Sequence, residues 1–354
     1  MVGGPAPSEN TTSGLPGSGL EDLQLQGLTS SLMAQRIDTL LLLGLPACGK
    51  SVIRRYLSSV SQEVAELTFH VGMPTVQLDD FPYVHLMWRI SQVTEDLGHE
   101  PVFFDSTRES FRDLRDFGTL IHLLNEDYAA LGVQRLPAVR SPGKWIVDRL
   151  ETAHVLAGMS APFSQLDEGA RTAVAAAIED EAAPFAAQWC ARSRPPDSTV
   201  VIELARGGPE GSDLPLDSPY GYAHALSLLS AELLHRAAIL YVSVTPQDSR
   251  RRNRDRARPG AHGSILHHGV PEKAMRAAYG IDDLGWLIDH SDQPGTITVP
   301  AHESTFHLPA ACFDNRRDLA LFQREDPATW PTREVAQVHA ALREAFGGLA
   351  MPSD

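Results

Sequence analysis

Lysine is scarce in this chain of 354 residues: 27 of its 30 basic residues are arginine, and the three lysines are Lys50, Lys144 and Lys273. Cysteine is scarce too. Cys48, Cys190 and Cys312 lie far apart with no Cys-x-x-Cys spacing, which excludes a disulfide framework and a zinc knuckle and leaves oxygen ligands for any metal. Long apolar runs are missing. No stretch approaches the ~20 residues that cross a bilayer, and the N-terminal residues carry neither a basic n-region nor an apolar h-region, so we expect a cytoplasmic protein without a membrane partner. Positive charge is in deficit. A formal net charge of -15 argues against general affinity for nucleic acid or anionic lipid, because such binding needs many cations to displace counterions.

What the chain does have is a composition that can build a core, with 43% hydrophobic and 21% charged residues. Residues 1–30 are rich in Gly, Ser, Pro and Thr and bury too little to offset ordering entropy, so they read as a disordered tail. Beyond them, five short apolar segments read as buried strands: Thr39 to Leu43, Thr75 to Leu78, Thr199 to Ile202, Ile239 to Val244 and Pro309 to Phe313. Helical spacing lies between them, as in Val52, Ile53, Tyr56, Leu57 and Val60, and again in Leu226, Leu229, Leu233 and Leu234. Alternation of this kind predicts an α/β fold with a five-stranded parallel sheet and helices on both faces. The stretch 81–198 is too long for one crossover. It reads as a helical insertion covering a site, with helices over Phe111 to Tyr128 and Glu168 to Arg192. Residues 31–80 and 199–318 then form the two parts of the core, and 319–354 a helical C-terminal segment.

Gly44-Leu45-Pro46-Ala47-Cys48-Gly49-Lys50-Ser51 follows the first strand and opens a helix at Val52, matching Gly-x-x-x-x-Gly-Lys-Ser/Thr in the context that gives the pattern meaning. Glycines let the backbone curl so that successive N–H groups face phosphate oxygens, and the helix adds its positive end. Lys50 can reach the β- and γ-phosphates, and the Ser51 hydroxyl can ligate magnesium. Cys48 reads as a small filler, or as a redox-sensitive position, since a helix N-terminus lowers a thiol pKa. This stretch is a Walker A motif. The chain from it to about Asp318 resembles the P-loop kinases that phosphorylate nucleosides, nucleotides and other small molecules, which implies a P-loop NTPase fold, ATP and Mg2+.

Four further segments bear on that resemblance. "VQLDDFPY" sets Asp79 and Asp80 at a strand's carboxyl end, where ligands bind in open α/β sheets. It is similar to the Asp-Asp-Phe-Tyr region of uridine kinase and phosphoribulokinase relatives, which implies that one carboxylate accepts the proton of an acceptor hydroxyl, with Tyr83 near the substrate. Pro82 departs from that pattern, and which aspartate is the base stays open. "VVIELARGG" puts Glu203 at the third strand's tip, suited to a magnesium-bound water, and Arg206 beyond it, suited to a phosphate or carboxylate on the substrate. "VTPQDSRRRNRDRARPG" resembles the lid of such kinases, over about 248–275. At helical spacing Arg250, Arg254 and Arg258 share one face and Arg252 and Arg256 another; we favour Arg251, Arg254 and Arg256 as the phosphate-stabilising set. Downstream, His267 and His268 read as a substrate loop or a structural pair. The fifth strand has Asp314 and Asn315 at its tip, and the resemblance sets the loop after it, with Asn315 as a nucleotide-binding candidate, beside the adenine.

The expectation is therefore an ATP-dependent kinase that phosphorylates a hydroxyl of a nucleoside, sugar or related metabolite. The alternatives are a kinase acting on a nucleoside monophosphate or RNA, and an ATPase or GTPase switch. Asn315-Arg316-Arg317-Asp318 is similar to the guanine signature of GTPases, with arginine in place of its lysine, but "ELAR" stands where their switch motif belongs.

Overall fold

The structure is a computed structural model that describes residues 36–105, 109–133, 136–256, 269–319 and 329–349, all within the unit Ala34–Asp354. Its center is β1 (Thr39–Leu43), every residue of which is buried. Alternate side chains of a strand face opposite ways, so Leu41 and Leu43 join one apolar cluster while Leu40 and Leu42 join another. A continuous leucine run is what a strand covered on both faces requires.

β1 lies between β3 (Val200–Leu204) and β4 (Ala237–Ser243), parallel to both. β2 (Val76–Asp79) extends the sheet beyond β3, and β6 (Ser304–Asp314) extends it beyond β4. The sheet has six strands, not the expected five, in the order β2-β3-β1-β4-β6-β5, because β5 (Thr296–Ala301) pairs antiparallel with β6. The hairpin turns on His302 and Glu303, with φ of 50° and 59°. Both are left-handed, as in the two-residue turns that match strand twist, yet neither is the Gly or Asn that marks such turns in a sequence. Pro300 within β5 also breaks the run, a feature tolerated at an edge strand.

One face of the sheet packs against α4 (Asp116–Ala130), α8 (Gly221–Ser227) and α9 (Ala231–Arg236), through Ile121, Leu124, Leu226 and Leu233. The other packs against α1 (Lys50–Ser59), α2 (Gln62–Phe69) and α13 (Thr332–Gly347), through Ile53, Tyr56, Phe69, Leu342 and Phe346. Between β2 and β3, α4 is joined by α3 (Phe81–Asp96), α5 (Pro142–Leu156), α6 (Glu168–Ala177) and α7 (Glu179–Ala191) around a third core. Two expected helices differ. The helix expected over Glu168 to Arg192 is interrupted at Ile178, whose ψ of 3° departs from helical values. The other begins at Asp116 rather than Phe111, because the Asp113 carboxylate accepts the Arg115 N–H in a local turn. After β4 come α10 (Pro246–Arg256), α11 (Glu272–Ala277) and α12 (Leu284–Asp289). Among the described residues no helix is long and apolar enough to cross a membrane.

Two features of this layout make a site. The chain leaves β1 toward β2 and leaves β4 toward β6, so a crevice opens at the carboxyl ends of these neighbors. The parallel register also pairs Asp79 with Glu203 across β2 and β3, and Leu42 with Glu203 across β3 and β1.

Candidate functional site

Gly44 to Gly49 bridges β1 and α1, and the backbone there uses the freedom of glycine. Gly44 has φ of 143°, with Val242 O 2.5 Å from where a Cβ would stand; Gly49 has φ of 112°, with Asn315 Nδ2 at 2.7 Å. Ala47 is also left-handed, with φ of 56°. Three buried side chains fasten this loop. Gly44 N donates to the Tyr222 hydroxyl at 2.7 Å, Ser249 Oγ donates to Pro46 O at 2.7 Å, and Asn315 Nδ2 donates to Cys48 O at 2.7 Å. Leu45 and Cys48 pack into the core beneath, where burial pushes the Cys48 thiol up.

Lys50 begins α1 and is buried, its Nζ donating to Gly44 O at 2.8 Å and Leu45 O at 3.1 Å. The ammonium lies along the carbonyls of its own loop. One turn on, past Ser51 and Val52, Arg54 pairs with Glu203 Oε1 at 2.7 Å, while Ser51 Oγ donates to Glu203 Oε2 at 3.0 Å. The loop's hydroxyl and the tip of β3 are thus joined directly. A hydroxyl and a carboxylate oxygen are hard ligands of the type magnesium takes, and magnesium needs only one or two protein groups when phosphates supply the rest. Ser51 and Glu203 fit that requirement, and among the described residues no cluster of three or more His, Cys, Asp or Glu offers a metal cage.

The two aspartates after β2 have different partners. Asp80 Oδ2 accepts from Arg206 at 3.0 Å, and that buried guanidinium also stands 5.0 Å over the ring of Phe117. Asp79 Oδ1 accepts the Phe81 N–H at 2.8 Å, at the start of α3. Burial, then the charge of Asp80 and that of Glu203, push the Asp79 carboxyl up to about 7, against the Phe81 hydrogen bond and Arg54. A carboxyl poised there can exchange a proton near neutral pH. Phe117 meets Tyr279 edge-on with ring centers 5.9 Å apart, which gives this end of the crevice an aromatic wall.

The structure does not bring every expected residue to this center. The Tyr83 hydroxyl is buried in the insertion, donating to Asp127 at 2.9 Å and accepting from Arg149 at 2.7 Å. Of the arginines on α10, Arg251 is exposed and paired with Asp248 at 3.0 Å, and Arg254 is exposed beside Glu272 at 3.4 Å. Arg250 and Arg252 are the buried ones. Arg252 donates to the Asn315 and Arg316 carbonyls and pairs with Asp318 at 3.4 Å. Arg256 ends α10, and its side chain lies outside the described residues, as do Arg258, His267 and His268. Val52 sits in the first turn of α1, its N–H bonded to Gly49 O at 3.1 Å.

The sequence reading missed Tyr222, Ser249 and Asp282. Tyr222 is fully buried, and its hydroxyl also bonds Leu204 O at 3.0 Å, tying the loop to the end of β3. Burial pushes the Asp282 carboxyl up to about 6, with Asp283 raising it and Lys50 lowering it, so it lies within electrostatic reach of the loop lysine. The adjacent acidic pair in "GIDD" is the one sequence signal that pointed there. A separate cavity of about 650 Å³ opens at the amino ends of β1, β3 and β4, but its Arg36, Arg194 and Arg236 all have carboxylate partners. Comparison of the chain with protein-family models, curated protein sequences and solved structures found no match.

Proposed function

We propose that the protein is a P-loop kinase that transfers the γ-phosphoryl group of ATP to a hydroxyl of a small metabolite, nucleoside- or sugar-like, in the cytoplasm. The observation that carries this reading is the 3.0 Å hydrogen bond from Ser51 of the glycine loop to Glu203, with Asp79 beside Glu203 in register. A phosphate cradle without a base near it would serve a switch or an ATPase; here a carboxyl of raised pKa stands on β2, in register with Glu203 of β3, whose other neighbor is the β1 strand that leads into the loop.

In this reading the loop N–H groups and the N-terminus of α1 bind the phosphates. Lys50 exchanges its hydrogen bonds with Gly44 and Leu45 for phosphate oxygens, which its flexible stem allows. Ser51 and Glu203 would hold a magnesium ion, whose charge offsets that of the phosphates when it is bound. Asp79 takes the proton from the acceptor hydroxyl, the hydroxyl oxygen forms a bond to the γ-phosphorus, and the bond to the β-phosphate oxygen breaks to release ADP. Asp80 is the weaker candidate for base because its carboxylate is held by Arg206.

The test is incubation with magnesium, γ-labelled ATP and panels of nucleosides, sugars and related alcohols. Label should enter one acceptor class, and label recovered only as free phosphate across the panels overturns the reading. Lys50→Ala should lower transfer by about 100-fold or more, as loss of a phosphate-stabilising charge does, with an unchanged far-UV spectrum. Turnover near the wild-type rate in that variant would remove Lys50 from the mechanism.

A further inference from the structure

We propose that Arg54 competes with the divalent cation for Glu203, so that Ser51 and Glu203 take a metal ion only weakly until the phosphates of a nucleotide add their oxygens. This rests on the kinase reading above and gives a role, in that same site, to a residue that the pattern Gly-x-x-x-x-Gly-Lys-Ser does not specify.

Ser51 and Arg54 are three residues apart on α1, a spacing that sets both on one face of the helix. Together they engage both oxygens of a single carboxylate. Ser51 Oγ donates to Glu203 Oε2 at 3.0 Å, and Arg54 stands 2.7 Å from Oε1. The Glu203 side chain is 9% exposed and that of Arg54 24%, so water and salt screen this pair less than one at the surface. The neighboring cations are engaged elsewhere: Lys50 lies along the Gly44 and Leu45 carbonyls, and Arg206 pairs with Asp80. Among the described residues, Arg54 is thus the cation paired with Glu203.

The contact is ionic rather than a well-formed hydrogen bond. Oε1 is the one buried carboxylate oxygen among the described residues that lacks a hydrogen-bond partner, since the guanidinium meets it without an N–H in line. Its lone pairs are committed to no donor, as suits an oxygen that a hard cation can take. Guanidinium and divalent ion therefore call on the same oxygen, and two cations at one oxygen repel each other. An ion with two protein ligands, one of them already neutralised, is held loosely. Phosphates change the balance, because they supply the missing oxygens together with negative charge that outweighs one guanidinium.

The experiment titrates Mn2+, without nucleotide, into the full-length protein and reads the free ion by electron paramagnetic resonance. Arg54→Ala and Arg54→Met, the second of which keeps an apolar stem, should each bind Mn2+ at least about tenfold more tightly than the wild type, as removal of a nearby unit charge predicts. Arg54→Lys should stay within about threefold of the wild type, because a point charge opposes the ion as a guanidinium does. Glu203→Gln placed beside Arg54→Met should abolish the gain. In thermal melting, Mn2+ should raise the midpoint of Arg54→Met more than that of the wild type, since an ion that binds the folded state stabilises it. Arg171→Ala, in a surface pair with Glu151, is the control expected to behave as wild type. Equal Mn2+ affinity in the wild type and the Ala and Met variants overturns the inference and leaves the kinase reading standing. A gain that survives Glu203→Gln puts the ion elsewhere and also overturns it. Failure of the wild-type protein to bind MnATP overturns both.

Discussion

Asp79 and Asp80 are adjacent in sequence and face different electrostatics. The Asp80 charge is balanced by a guanidinium at 3.0 Å, whereas Asp79 sits in register with Glu203 and next to Asp80, with the backbone N–H of Phe81 bonded to it. Burial first, and then the like charges nearby, favor the protonated carboxyl, so Asp79 gains its basic form only as the pH approaches about 7 and passes it. The activity of a kinase using Asp79 should rise with pH along a limb of unit slope. Replacing Asp80 by Asn removes one repelling charge and frees Arg206, and both effects lower the pKa of Asp79. The rising limb of kcat should therefore move to lower pH in Asp80→Asn, while Asp79→Asn should lose transfer at every pH. A limb that stays in place or moves to higher pH would show that Asp79 is not the titrating group.

At the scale of elements, the glycine loop is held from outside itself. Asn315, at the end of β6, donates to Cys48 O and lies against Gly49. In Asn315→Ala a buried carbonyl loses its partner, which costs about 1–3 kcal/mol, and the loop should loosen around the phosphates. We expect about a tenfold loss of ATP affinity by titration calorimetry, together with a lowered midpoint in urea; a lowered midpoint with unchanged ATP affinity would limit Asn315 to stability. The same element explains what was legible in the sequence. β1, the loop and α1 were readable because their signals are local: four leucines, two glycines, a lysine, and apolar residues at helical spacing. The extra strand was not, because His302 and Glu303 adopt left-handed backbone without glycine. Nor was the pairing of Asp79 with Glu203, which is a matter of register between strands more than 100 residues apart. Helical spacing grouped the arginines of α10 into faces. Which face turns inward depended on Pro46, Glu210 and Asn315, residues remote in the chain.

The whole molecule carries several buried carboxyls in their protonated range. Burial pushes Asp116, at the start of α4, up to about 8, against a hydrogen bond from Thr119, and Asp79 stands at about 7. Both values lie above the unfolded value of 3.8, so the folded state binds more protons than the unfolded state as the pH rises from that value. Stability from these groups is present at low pH and is lost as pH rises through the folded pKa values. Five histidines act the other way. His70, His122, His154, His224 and His339 are held below 6.5 by burial, so their contribution grows as the pH rises toward that value. Above it the histidines are neutral in both states and no longer compensate. Stability in urea should then fall between about pH 6.5 and 8.5, at most by about 1.4 kcal/mol per pH unit for each carboxyl involved. Asp116→Asn keeps the Thr119 hydrogen bond and removes the largest of these ionisations, so its stability should decline less over that window than that of the wild type. Parallel curves for the two proteins would show that the Asp116 carboxyl ionises on folding much as it does in water.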